Sequence, residues 1–163
     1  MRGLGAGSLQ GDLRFVWVLE RMGCKVEVGK DAVAVRGPER LRGVEADMGD
    51  ISDTMITLAA IAPFAEGPTT ITGVGHTRHQ ETDRVAAVTR ELKRLGVRVE
   101  ERRDGLRIEP GEVRGGLVHT YDDHRVAMSF ALVGLKVPGV RIENPSCVTK
   151  TLPGYFELLD ALR

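Results

Sequence analysis

The chain has 163 residues, is 42% hydrophobic and 28% charged, and balances 23 Lys+Arg against 23 Asp+Glu. That composition excludes a disordered chain and suits one soluble globular domain with a real core. Zero net charge removes the electrostatic basis of non-specific nucleic-acid binding, and 4% aromatic residues are too few for base-stacking platforms.

In chain order, residues 1–7 lack the apolar run of a signal peptide, and the glycines at 3, 5 and 7 fit no phosphate-loop spacing. Phe15, Leu19 and Met22 recur at helical spacing before a Gly23 stop, and strands over 24–28 and 32–35 flank a Gly29-Lys30-Asp31 turn. Residues 53–65 are apolar nearly all round, so a buried helix is expected there, with Ser52 or Asp53 as its N-cap. A short strand follows at 69–72. Val85, Val88, Leu92 and Leu95 mark an amphipathic helix capped by Thr82 or Asp83, with Lys93 and Arg94 in its last turn and Gly96 as its C-cap. Strands over 97–100 and 106–108 flank Asp104-Gly105, a strong hairpin signal. Residues 124–135 read as a second buried helix behind the Asp122-Asp123 pair. A strand over 140–143 and a helix over 154–163 complete the chain.

The order repeats. Gly96 lies seventy-three positions after Gly23, and each glycine separates an amphipathic helix from a hairpin. Helix, hairpin, buried helix and strand occur twice, and a third copy begins. The fold class is therefore α/β, built from repeats, and the chain reads as a piece of a longer repeat-built protein.

Cys24 and Cys147 have no metal-ligand spacing, so reduced thiols and a cytoplasmic location are expected. The longest apolar stretch, 55–65, is too short for a bilayer span and contains Pro63. His76 and His79 flank Arg78 but find no third ligand, so no metal is expected.

Three segments place a cation at an expected helix start: Arg84 after Glu81-Thr82-Asp83, Arg125 after Asp122-Asp123-His124, and Lys150 between Thr149 and Thr151. A helix N-terminus is already electropositive, so such placement calls for an anion. Repeated placement points to an anionic ligand, a phosphate or carboxylate. The plain alternative at the first segment is a local Glu81–Arg84 ion pair.

Together with Ser8-Leu9-Gln10-Gly11-Asp12, Asp47 to Asp53 and Cys147 to Pro153, these segments resemble the EPSP synthases (3-phosphoshikimate 1-carboxyvinyltransferases). They occur in family order along essentially the whole chain. The resemblance implies two globular halves of repeated βαβαββ units, of which residues 1–163 correspond to most of the C-terminal half. The N-terminal half is then a missing partner, and the cleft between the halves is the site. It also implies transfer of the enolpyruvyl group of phosphoenolpyruvate to the 5-hydroxyl of shikimate 3-phosphate, without a cofactor.

Residue by residue, Asp53 is similar to the base toward the attacking hydroxyl. Glu81 is similar to the group that handles the methylene proton; that role calls for partial desolvation and a raised pKa. Lys150 is similar to the phosphate-side cation and proton donor. Arg84 and Arg125 look like carboxylate binders, with Asp123 and His124 as support. Two substrate-contact positions depart from the usual pattern: Gln80 stands where the family often has Lys, and His76 where many members have Asn. The alternatives are a module that acts only with a separate N-terminal partner, and an enolpyruvyl transferase with another acceptor.

Overall fold

The computed structural model describes residues 1–162 and lays them out as two copies of one unit. The first contains α1 (Phe15–Arg21), β1 (Lys25–Val28), β2 (Val33–Arg36), β3 (Glu45–Asp47), α2 (Met55–Ile61) and β4 (Thr69–Thr72). The second contains α3 (Arg84–Arg94), β5 (Val99–Arg102), β6 (Gly105–Ile108), β7 (Leu117–Val118), α4 (His124–Val133) and β8 (Arg141–Ile142). Helix α5 (Tyr155–Asp160) follows; the expected end of that helix at Arg163 lies outside the described residues.

The amphipathic helices end alike. Gly23 and Gly96 take left-handed φ values of +100° and +87°. The next N–H reaches back five residues, from Cys24 to Leu19 and from Val97 to Leu92. This is the Schellman end that only a residue without a Cβ adopts cheaply.

Two strands were not legible in the sequence. β3 and β7 are three and two residues long, too short to show alternation. They complete the architecture: β3 pairs parallel with β4, and β7 with β8, each across a buried helix. The β5–β6 hairpin then adds antiparallel to β4, giving the sheet order β3-β4-β6-β5 and joining the units.

The hairpin turn is shifted by one residue from the expected Asp-Gly. Its loop is Arg103-Asp104, and Gly105 already pairs with Arg102. The reason is contact with β4: a Cβ on Gly105 would lie 1.9 Å from the Ile71 carbonyl oxygen. The Asp104 carboxylate meanwhile accepts the N–H groups of Gly73 and Gly75, pinning the loop before His76.

Helix α2 is shorter than expected, with 3₁₀ turns at Gly49–Thr54 and Ala62–Phe64. Pro63 has no N–H to continue the α ladder. Neither Ser52 nor Asp53 caps α2 with its side chain; both are engaged elsewhere. Helix α4 stops two residues short of Leu135, in the turn after Val133. The buried faces of α2 and α4 meet in the core, which includes Met55, Ile56, Leu58 and Phe130. Thr57 Oγ1 and Ser129 Oγ share a hydrogen bond of 3.0 Å between the two helices. No helix among the described residues is long and apolar enough to cross a membrane.

Gly105→Ala should therefore destabilise the chain by about 1–3 kcal/mol, the usual cost of overpacking. Gly111→Ala, where a Cβ meets nothing within 4 Å, should change stability by under about 0.5 kcal/mol. Urea denaturation of the two variants checks the contrast; equal effects would exclude a close β4–β6 contact.

Candidate active site

Helices α3 and α4 are capped by aspartates. Asp83 accepts the Ala86 N–H at 2.9 Å, which settles the choice between Thr82 and Asp83. Asp123 accepts the Arg125 N–H at 2.8 Å, whereas Asp122 is exposed and bonds Asn144. Each cap fixes where the following basic residue points.

Arg84 is the centre of the site. Its side chain is 4% exposed. Nε donates to Asp123 Oδ2 at 2.8 Å, and Nη1 donates to Asp53 Oδ1 at 2.8 Å and to the Gln80 side-chain oxygen. The expected local Glu81–Arg84 pair is not formed. Arg84 turns instead to Asp123, whose full burial strengthens the attraction, and to Asp53, while Glu81 pairs with Lys150.

Arg125 does have its anion, and it is part of the protein. Arg125 Nη2 lies 2.6 Å from Asp53 Oδ2, so Asp53 bridges Arg84 and Arg125. The α2, α3 and α4 N-terminal regions are thus bound by alternating charges. Arg125 remains 32% exposed and Asp53 36%, so this half of the bridge faces solvent.

Lys150 is not at a helix start. It follows the 3₁₀ turn Pro145–Val148 and precedes α5 by a loop. Its partner is Glu81, with Nζ donating to Oε2 at 3.0 Å. That hydrogen bond raises the Lys150 pKa, so Lys150 is a fixed cation at neutral pH. The expected desolvation of Glu81 is not seen: its side chain is 38% exposed, because it lies in the loop before α3 with Lys150 and His124 beside it.

His124 is buried. Its Nδ1 lies 3.3 Å from Glu81 Oε2 and 3.9 Å from Asp123 Oδ1 but makes no hydrogen bond. Glu81, Asp123 and His124 lie close enough together to hold a cation. The donor set argues against one. Both Asp123 oxygens already accept N–H groups, and Lys150 already neutralises Glu81.

His76 lies at the edge of the cluster, in the 3₁₀ turn Gly75–His79, with Nε2 2.9 Å from Ser52 Oγ. Ser52, Asp104 and Asn144 support the site; Ser52 was legible only as a cap candidate, Asp104 only as a turn residue, and Asn144 not at all. Asp53, Gln80, Glu81, Arg84, Asp123, His124, Arg125 and Lys150 all join one charge network. The result is a solvent-facing surface carrying Arg125, Lys150 and two partly exposed carboxylates, backed by the buried Arg84. Such a surface can hold a small polyanion and place an acid or base against it.

The EPSP synthase (3-phosphoshikimate 1-carboxyvinyltransferase) family profile matches residues 1–159. The chain belongs to the EPSP synthase family. It is 54% identical over 149 residues to 3-phosphoshikimate 1-carboxyvinyltransferase of Nostoc punctiforme, covering 91% of this chain and 35% of that protein. Against the same-named protein of Methanoculleus marisnigri it is 48% identical, covering 96% and 37%. The chain thus spans little more than a third of the length of these relatives. Among solved structures, EPSP synthase from Acinetobacter baumannii matches with a TM-score of 0.86 at 26% identity, covering 99% of this chain and 40% of that one. The enolpyruvyl transferase NikO from Streptomyces tendae matches with a TM-score of 0.72 at 30% identity, covering 92% and 35%.

Stability should divide the two arginines of this EPSP synthase-family site. Arg84→Ala leaves Asp123 buried and unpaired and should cost about 3–5 kcal/mol, whereas Arg125→Ala breaks a solvent-facing pair and should cost under about 1 kcal/mol. Chemical denaturation at neutral pH measures both; comparable losses would place Arg125 in the structural core of the network.

Proposed function

We propose that residues 1–163 form most of the C-terminal half of an EPSP synthase, and so one wall of its active site. The reaction is transfer of the enolpyruvyl group of phosphoenolpyruvate to the 5-hydroxyl of shikimate 3-phosphate. The observation that carries this reading is the Asp53–Arg84–Arg125 bridge beside the Glu81–Lys150 pair, drawn from separated segments of the chain.

In this reading the phosphoenolpyruvate carboxylate takes the place of Asp53 against Arg125 and the outer edge of Arg84. A planar guanidinium fork suits that anion. Lys150, already a fixed cation, faces the phosphate. Asp53, displaced from Arg125, accepts the proton of the attacking 5-hydroxyl. The new O–C2 bond forms as Glu81 passes to the methylene carbon a proton drawn from the Lys150 ammonium hydrogen-bonded to it. The Glu81–Lys150 pair then takes a proton back from that carbon as the C2–O bond breaks, and the proton held by Asp53 leaves with the phosphate, giving the enol ether and inorganic phosphate.

Asp123 holds Arg84, His124 flanks Glu81, and Gln80 holds Arg84 from the loop side. His76 marks the acceptor side. Phosphoenolpyruvate, shikimate 3-phosphate and the rest of the enzyme are the partners. A cytoplasmic setting fits the free thiols of Cys24 and Cys147.

The test is phosphate release from the two substrates. The chain alone should stay at background, and joining it to the part of the Nostoc punctiforme relative that it does not span should restore turnover. In the joined protein, Glu81→Gln should lower kcat by about 10²–10⁴ with little change in KM, as loss of proton transfer does. A change in KM alone would remove Glu81 from the proton-transfer role, and turnover only with another acceptor would overturn the shikimate 3-phosphate assignment.

A further inference from the structure

Tyr121 and Asp122 are the only non-glycine residues among the described residues with positive φ, at +55° and +57°. They form the centre of a turn closed by the Asp123 N–H to the Thr120 carbonyl at 2.9 Å. Two left-handed central residues define a type I′ turn, whose favoured sequence is Asn-Gly. Tyrosine is a poor occupant, because its Cβ crowds the backbone in that region. The turn runs directly into Asp123, His124 and Arg125. Backbone strain of this kind persists only where the surroundings enforce it.

The surroundings are specific. Tyr121 Oη donates to Glu91 Oε1 at 2.7 Å. Glu91 has no solvent exposure, and its Oε2 accepts the His119 N–H at 3.0 Å and Arg94 Nε–H at 3.2 Å. The Arg90 guanidinium lies 6.0 Å from the Tyr121 ring centroid, and Asn144 Nδ2 donates to Asp122 Oδ1 at 3.0 Å. Burial, reinforced by the bond to Glu91, pushes the Tyr121 phenol up, so its hydroxyl remains a donor.

A buried carboxylate is costly unless its partners are well placed. The partners of Glu91 are all on the strained turn, its approach, or its own helix. Arg84 and Glu91 lie two helical turns apart on one face of α3. One rigid helix therefore holds Asp123 through Arg84 and the turn before it through Glu91.

We infer that Glu91 and Tyr121 are positioning residues for the phosphoenolpyruvate site: their hydrogen bond latches a strained turn and so sets Asp123, His124 and Arg125. The choice of ligand rests on the proposed function; the latch does not. Neither residue touches the substrate surface, so both act through the turn.

The experiment compares Tyr121→Phe with the double variant Tyr121→Asn/Asp122→Gly. The first keeps the strained backbone and removes the latch. The second removes the latch and supplies the residues that a type I′ turn prefers. Two readouts are taken on the full chain: the NMR signal of the Arg84 Nε–H bonded to Asp123, without ligand, and the affinity for phosphoenolpyruvate. Tyr121→Phe should shift or broaden the Arg84 signal and weaken binding about tenfold, the effect of one misplaced charge-assisted contact. The double variant should retain both. An unchanged Arg84 signal in Tyr121→Phe overturns the inference, as does equal loss in the two variants. If Tyr121→Phe fails to fold while the double variant folds, the latch is supported; if neither folds, it is overturned. Should wild type bind no phosphoenolpyruvate, the proposed function fails, and the Arg84 signal still decides the latch.

Discussion

One guanidinium organises this molecule. Arg84 is almost wholly buried and is gripped by Asp53, from the turn before α2, and by Asp123, from the start of α4. A buried cation so placed must be neutralised by groups that are themselves fixed. Asp123 is fixed by capping α4, Asp53 by Arg125, and α3 by its Asp83 cap, which Arg78 braces from the preceding turn. The charge network and the helix packing therefore depend on each other. The apolar faces of α2 and α4 bring the carboxylates together, and Arg84 offsets the repulsion that would otherwise part them.

The repeat explains why the site lies where it does. Each unit sends a buried helix across a parallel strand pair, so the N-terminal ends of α2 and α4 emerge at the same edge. Helix α3 opens the second unit and reaches the same edge through the His76 turn. The site is thus assembled from corresponding positions of two copies of one motif, with the Lys150 loop added from beyond the second. Helix N-termini favour negative charge, and here the protein supplies aspartates as caps and then overlays them with arginines. A surface so arranged holds its cations in place before any ligand arrives, which is the condition for effective electrostatic binding.

The helices and both hairpins were legible because the apolar periodicity of residues such as Val85, Val88 and Leu92, and the paired glycines Gly23 and Gly96, are local signals. The candidate residues were legible through motifs, and the structure gathers Asp53, Glu81, Arg84, Asp123, His124, Arg125 and Lys150 into one network. Their partners were not legible. Arg125 looked unpaired because Asp53 lies in the other repeat, and no local spacing links them. Glu81 and Arg84 looked like neighbours on a helix, but Glu81 lies outside α3 and turns to Lys150. Lys150 looked like a helix-start residue, but α5 begins only at Tyr155. Glu91 left one overlooked signal: an acidic residue on the apolar stripe of α3, in line with Val88 and Leu95.

In the proposed reaction a substrate carboxylate replaces Asp53 at Arg125. The most direct measurement is a crystal structure of the chain with phosphoenolpyruvate. It should place the ligand carboxylate on Arg125, its phosphate near Lys150, and Asp53 turned away from Arg125 while Arg84 still holds Asp123. Phosphoenolpyruvate bound elsewhere, with the 2.6 Å Asp53–Arg125 contact intact, would contradict it.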